Sequence, residues 1–230
     1  DIVETVFYNS VLSGISLDGK RFFYTNPLRL SKNLPYTLRW SKEREEYISL
    51  CNCCPPNTVR TLAQAQNYAY TLGSYAVYFQ LYGGNTFTTS FGKNETLKIE
   101  QITDYPWDGK IVVKVTQAPK KKILSFNFRI PSWCENATFT VNGQPFESKI
   151  IADTYIPVSR IWQNGDVVEI NLEMKATLIE SNPLVEETRN QTAVKRGPIV
   201  YCLEETDAKG AKSIDDVLIP NDIKLSPRKT

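Results

Sequence analysis

A chain of 230 residues with 41% hydrophobic and 11% aromatic side chains can bury one sizeable core, with room for a smaller appendage. Its 27 basic and 25 acidic residues leave a formal charge of +2, which gives no electrostatic footprint for nucleic acid or an anionic membrane surface. No apolar run approaches the ~20 residues needed to span a bilayer, and histidine is absent, so a histidine base or an imidazole zinc ligand would have to come from outside this chain.

Ile2, Val3, Val6, Phe7, Ser10, Val11 and Gly14 recur at helical spacing, which predicts a helix from about Asp1 to Ser13 that stops at Gly14. The pattern is already under way at Asp1, so the N-terminus reads as cut rather than natural. Asp18-Gly19 predicts a turn between Ile15 and the aromatic run Phe22-Phe23-Tyr24, a short hairpin ended by Asn26-Pro27. Residues 28–50 mix charge and aromatics without period and read as an irregular loop.

The stretch that follows, Cys51-Asn52-Cys53-Cys54-Pro55-Pro56-Asn57, sets three thiols before two prolines and a helical pattern. Proline is tolerated in the first turn of a helix, so Cys53 and Cys54 are predicted at a helix N-terminus near Pro55. That end carries the positive pole of the helix dipole and favours a thiolate over a thiol. Packing of small buried cysteines is the competing reading. Val59, Leu62, Ala63, Gln66, Ala69 and Tyr70 continue one helical face, with Gly73 as its stop. Two such helices cannot bury their faces alone, and they read as the closing pieces of a larger helical domain.

After Gly73 the period changes from helical to alternating. Tyr75 to Tyr82, Leu97 to Ile102, Lys110 to Thr116, Ile123 to Ile130, Ala137 to Val141, Val167 to Leu172 and Ile199 to Leu203 are predicted strands. Gly83-Gly84, Asp108-Gly109, Asn142-Gly143 and Asn164-Gly165 punctuate them, and Lys120-Lys121-Lys122 reads as a solvated hairpin tip. The fold class expected is mainly β, an antiparallel sandwich or jelly roll. Residues 1–73 form the helical segment, 74–205 the sandwich, and 206–230 a polar tail or the start of a further segment.

For chemistry, Zn²⁺ wants four ligands, and Cys51, Cys53 and Cys54 offer two or three thiolates, so at least one ligand must come from elsewhere. Cys134 and Cys202 are distant, on predicted strands. Paired carboxylates are the ordinary route to glycoside hydrolysis, but no spacing singles out a pair. Trp107, in Tyr105-Pro106-Trp107-Asp108-Gly109, could stack on a sugar face, against the blander reading of an aromatic covering the core. Trp133 and Trp162 read as core. Asn94, Asn136 and Asn190 open glycosylation sequons that chance accounts for.

The cysteine element, preceded by Tyr8-Asn9-Ser10-Val11-Leu12-Ser13-Gly14-Ile15-Ser16-Leu17-Asp18-Gly19, resembles the bacterial β-L-arabinofuranosidase glycoside hydrolases. Tyr105-Pro106-Trp107-Asp108-Gly109, Arg129-Ile130-Pro131-Ser132-Trp133-Cys134 and Arg196-Gly197-Pro198-Ile199-Val200-Tyr201 extend the match, in order, over residues 1 to about 205. The resemblance implies an (α/α)₆ barrel carrying the active site, followed by β-sandwich domains. It further implies retaining hydrolysis in which a zinc-bound cysteine thiolate replaces the nucleophilic carboxylate. By position Cys53 matches the nucleophile, and Cys53 and Cys54 match two zinc ligands. The family's other two zinc ligands, a Glu and a Cys, and its general acid/base lie upstream of the segment matching Asp1. The chain is therefore expected to be the C-terminal portion of such an enzyme, acting at full length on L-arabinofuranosides of plant glycans with zinc. Alone it is expected neither to bind zinc tightly nor to hydrolyse a glycoside.

A non-catalytic carbohydrate-binding or structural sandwich is the alternative, and a thiol-based redox or metal-sensing module is a third. The expected partner is a carbohydrate, with no nucleic acid and no membrane, and a homodimer through the exposed helical faces of residues 1–72. The resemblance favours a periplasmic or otherwise exported bacterial protein.

Overall fold

The computed structural model describes residues 1–26, 43–46, 52–93, 95–204, 206–220 and 222–227. It is mainly β, with little helix and several sheets. The chain divides into two compact units, Asp1 with Leu62–Met174 and Ile2–Thr61 with Lys175–Thr230.

The first unit holds ten strands: β1 (Tyr70–Gly73), β2 (Ala76–Phe79), β3 (Asn85–Ser90), β4 (Thr96–Thr103), β5 (Lys110–Gln117), β6 (Ile123–Ile130), β7 (Ala137–Val141), β8 (Gln144–Pro145), β9 (Thr154–Ile161) and β10 (Val167–Leu172). They form a four-stranded sheet, β1-β2-β6-β9, and a six-stranded sheet, β3-β4-β5-β10-β7-β8. Period-two alternation buries Leu97 and Ile99 of β4, Ile111, Val113 and Val115 of β5, and Val168, Ile170 and Leu172 of β10 on one face. The other sheet answers with Val77, Phe79, Leu124, Phe126, Phe128 and Ile130. Rings carry the contact between the layers: Phe128 lies 6.0 Å from Phe139 of β7, and Tyr70 of β1 stacks on Phe87 of β3 at 4.2 Å. Within the four-stranded sheet Phe79 stacks on Phe128 at 4.5 Å, and Trp162 stacks on Phe126 at 4.1 Å while donating Nε1–H to the Leu124 carbonyl. Trp162 is thus core, as its flanking turn predicts. Burying each such side chain stabilises the unit by about 1.5–3 kcal/mol.

Several expectations need correction. The predicted second helix does not reach Gly73: α2 (Cys54–Ala63) ends early, a short turn covers Ala65–Tyr68, and Tyr70–Gly73 is already strand β1, paired with Ala76–Phe79. The strand expected from Tyr75 starts one residue later, because Tyr75 occupies the tight turn at φ 59°. The sheets are not wholly antiparallel. β2 runs parallel to β6, since the chain crosses β3, β4 and β5 of the other sheet before returning in the same direction. The lysine run does form a turn, with Lys121 at φ 58°, but Lys122 is not merely solvated: its Nζ meets Glu95 Oε2 at 2.5 Å and sits 4.5 Å from the Tyr75 ring centre. That carboxylate raises the Lys122 pKa.

In the second unit β11 (Ala176–Glu180), β12 (Thr192–Arg196) and β13 (Ile199–Tyr201) form an antiparallel three-stranded sheet. The N-terminal helix is α1 (Ile2–Val6), continued by a wider turn over Phe7–Val11, and Gly14 ends it as predicted. The hairpin about Asp18-Gly19 is present, with Ile15 bridged to Phe22 and Phe22 to Glu45. The Ser16 hydroxyl donates to Asp18 and lowers its carboxyl pKa. Most of the expected loop at 28–50, and Cys51, lie outside the described residues. Ile214–Asp216 is a single helical turn.

Asn9 does for β13 what another strand would do. Its Nδ2 donates to the Pro198 carbonyl at 2.8 Å and its Oδ1 accepts from the Val200 amide at 2.8 Å, while Nδ2 also meets the Thr5 carbonyl at 2.9 Å. Asn9→Ala leaves the Val200 amide and the Pro198 carbonyl without these partners, which is expected to cost about 2 kcal/mol. Hydrogen exchange checks it: the Val200 amide should lose protection while the amides of β6 keep theirs.

Candidate active site

α2 begins at Cys54, with Pro55 and Pro56 in its first turn, where their missing N–H groups have no intrahelical partner to lose. Cys53 occupies the turn just before it and is exposed, while Cys54 is half-buried. The two sulfurs are 3.7 Å apart. Asn57 fixes the backbone beneath them: its amide N–H reaches the Cys53 carbonyl at 3.2 Å, and its side-chain Nδ2 reaches the same oxygen at 2.8 Å. Arg60 in turn donates to Asn57 Oδ1 at 2.8 Å, and the Thr58 hydroxyl caps the Cys54 carbonyl at 2.9 Å. The positioning role of Asn57 is not visible in spacing alone, because an Asn in the first turns of a helix ordinarily faces water.

The pair suits a thiophilic cation. Tetrahedral thiolate zinc has Zn–S of about 2.3 Å, which puts neighbouring sulfurs about 3.8 Å apart. Cys53 and Cys54 already stand at one edge of such a tetrahedron. Among the described residues no group of three or more Cys, His, Asp or Glu comes together that could hold a metal ion.

The other candidates separate clearly. Cys134 lies in the β6–β7 connection rather than on a strand, donates to the Asn136 carbonyl at 3.1 Å, and has its thiol pKa raised by burial, which keeps it protonated and structural. Cys202 follows directly on β13 and is exposed. Trp133 is half-buried. Trp107 corrects the core-covering reading: it is 66% exposed, because the turn buries Tyr105 and Pro106 in its place. No helix among the described residues is long and apolar enough to cross a membrane.

Three consecutive family models match the chain. Residues 1–67 match the β-L-arabinofuranosidase GH127 catalytic domain, 76–174 the β-L-arabinofuranosidase GH127 middle domain, and 176–228 the glycoside hydrolase family 127 C-terminal domain. The chain belongs to the GH127 β-L-arabinofuranosidase family. Cys53 and Cys54 fall in the part matched by the catalytic-domain model, and Trp107 in the part matched by the middle-domain model. The chain is 32% identical over 220 residues to a non-reducing end β-L-arabinofuranosidase of Bifidobacterium longum subsp. longum, an alignment covering 91% of this chain and 32% of that protein. A solved structure titled a glycoside hydrolase is 58% identical, with a TM-score of 0.92, over 100% of this chain and 38% of its own. A GH127 β-L-arabinofuranosidase from Geobacillus stearothermophilus T6 is 36% identical, with a TM-score of 0.76, over 89% of this chain and 32% of its own. The GH127 chain thus spans about a third of the length of these relatives.

Proposed function

We propose that the protein containing this chain is a retaining glycoside hydrolase acting on L-arabinofuranosides of plant glycans, with Cys53 as its nucleophile. The observation that carries this reading is the exposed Cys53 sulfur, 3.7 Å from Cys54 at the start of α2, within the part matched by the catalytic-domain model. Cys53 Sγ attacks the anomeric carbon, a C–S bond forms, and the glycosidic C–O bond breaks. The leaving oxygen takes its proton from an acid outside this chain. Water, activated by that same group as base, then displaces the sulfur, and two inversions restore the starting configuration. Asn57 holds the backbone from which the sulfur projects. Cys53 and Cys54 would hold zinc, which when bound supplies the positive charge that keeps thiols deprotonated near neutral pH.

On this reading the helical segment closes an (α/α)₆ barrel, and the two sheets of the first unit are a jelly roll that follows it. The homodimer expected through residues 1–72 gains no support from the relatives and forms no part of the function proposed.

The test compares this chain with a version extended upstream to the length of its relatives. The extended protein is expected to hold about one equivalent of zinc and to release nitrophenol from the β- rather than the α-L-arabinofuranoside; this chain alone is expected to do neither. Zinc and hydrolysis absent from both would overturn the reading in favour of a non-catalytic carbohydrate-binding sandwich.

A further inference from the structure

Cys53 and Cys54 are neighbours in the chain and in space, but they differ in access. Cys53 is exposed, Cys54 is half-buried, and their sulfurs are 3.7 Å apart. An accessible thiol beside a second, better shielded one is an arrangement in which oxidation stops at a disulfide. The first sulfur meets the oxidant, and the second resolves the product before it oxidises further. The other described thiols lack this arrangement. Cys134 is buried and donates to the Asn136 carbonyl. Cys202 is exposed but meets no second sulfur within hydrogen-bonding reach among the described residues.

The backbone decides what kind of disulfide the pair can form. Bonded sulfurs lie about 2.05 Å apart, so these two must close by roughly 1.7 Å. Side-chain rotation supplies part of that movement, and a twist of the 53–54 peptide the rest. Cys54 opens α2, so its N–H belongs to the set that has no intrahelical acceptor to lose. The Cys53 carbonyl, on the other side of the same peptide, keeps the Asn57 side chain as a partner even where it leaves the Asn57 amide. Adjacent Cα atoms are about 3.8 Å apart, short of the roughly 4.4–6.8 Å that relaxed disulfides span, so the bond forms under strain. Strained, exposed disulfides are the readily reduced ones.

We propose that Cys53 and Cys54 form a reversible redox switch, with hydrogen peroxide as the oxidant and Cys54 as the resolving thiol. The Cys53 sulfur attacks a peroxide oxygen, the O–O bond breaks, and the departing hydroxide takes the thiol proton as water, leaving a sulfenic acid. The Cys54 sulfur then attacks the Cys53 sulfur. An S–S bond forms, the S–O bond breaks, and a second water carries off the Cys54 proton, so that the two sulfurs have given two electrons to the peroxide. A small dithiol reverses the step by exchange. The consequence for catalysis rests on the hydrolase reading: the oxidised pair offers neither a nucleophile to the anomeric carbon nor thiolates to zinc. The bond itself does not rest on it.

Peptide mapping by mass spectrometry tests the bond on this chain, with no activity needed for the readout. The chain is treated briefly with hydrogen peroxide at about pH 8.5, where ordinary thiols ionise. In wild type the peptide holding Cys53 and Cys54 is expected to lose the mass of two hydrogen atoms, taking two of the five thiols out of titration, and to regain both on dithiothreitol. Cys54→Ser keeps the exposed sulfur without its resolving partner, so it should accumulate a dimedone-trapped sulfenic acid at Cys53 and go on to sulfinic acid, which dithiothreitol does not reverse. Cys51→Ser should form the bond as wild type does, which separates it from a link between Cys51 and Cys53. Sulfinic acid at Cys53 appearing as fast in wild type as in Cys54→Ser, or a bond that vanishes in Cys51→Ser, would overturn the proposal. Hydrolysis by the upstream-extended protein, lost with peroxide and restored by dithiothreitol, reads the catalytic consequence separately; no hydrolysis in either state removes the hydrolase reading and leaves the bond standing.

Discussion

Replacing Cys53 by alanine in the upstream-extended protein is expected to lower arabinofuranoside hydrolysis by about 10⁴-fold or more, the scale on which removing a covalent nucleophile acts. The expectation follows from the position of the sulfur. Cys53 is exposed at the open end of α2, and Asn57 holds its carbonyl by two hydrogen bonds, so the backbone is not free to bring another group to that place. Serine at the same site keeps size and direction but replaces the sulfur by a much weaker nucleophile. Cys53→Ser should therefore be as inactive as Cys53→Ala. Cys54→Ser removes a proposed zinc ligand but leaves the Cys53 sulfur in place, and it should lose metal while retaining residual turnover. Measuring kcat and metal content on the three variants separates these roles. Equal activity of Cys53→Ala and wild type would remove Cys53 from the mechanism.

The largest effect expected on the fold comes from a single methyl group. A Cβ placed on Gly109 would lie 2.0 Å from the Leu172 carbonyl oxygen and 3.0 Å from its carbon. Those atoms belong to the end of β10, whose Asn171 is paired with Lys110 of β5, so there is no flexible side chain to move aside. Gly109→Ala must push two core strands apart, and it is expected to destabilise the first unit by about 3 kcal/mol or more. For a chain of this size that lowers the melting temperature by about 6–12 °C. Gly83→Ala provides the comparison, since nothing lies within 4 Å of the Cβ it would add. Calorimetry on the two variants decides the matter; equal melting temperatures would show that β10 can yield.

Asp108-Gly109 reads in sequence as a turn dipeptide, and the structure shows why that reading is incomplete. The glycine is required by a strand that arrives much later in the chain, and no local pattern encodes that approach. Where local chemistry does decide, the elements are legible. Ile123–Ile130, Ala137–Val141 and Val167–Leu172 are strands with the bounds that alternation predicts. Asn142-Gly143 turns with φ of 53° and 75°, the left-handed pair that such a dipeptide adopts most easily. β9 escapes notice because Pro157 argues against a strand, yet β9 is an edge, where a missing N–H costs no ladder bond. β3 has no buried residue to mark a face, and β1 continues the helical spacing of α2 until pairing with β2 overrides it. At the site, the helix start at Cys54 is written in its prolines. The outward direction of Trp107 is not, because it depends on Tyr105 and Pro106 taking the buried places.

The clamp that Asn9 makes on β13 joins residues 189 and 191 positions apart, with residues 62–174 of the first unit threaded between them. At ribosomal rates of about 5–20 residues per second, Asn9 waits roughly 10–40 s for the Val200 amide to be made. Residues 62–174 complete their own two-layer core during that interval, and the second unit closes last. The order of assembly is therefore set by topology, middle before ends. Throughout that wait the Asn9 side chain has no β13 to clamp.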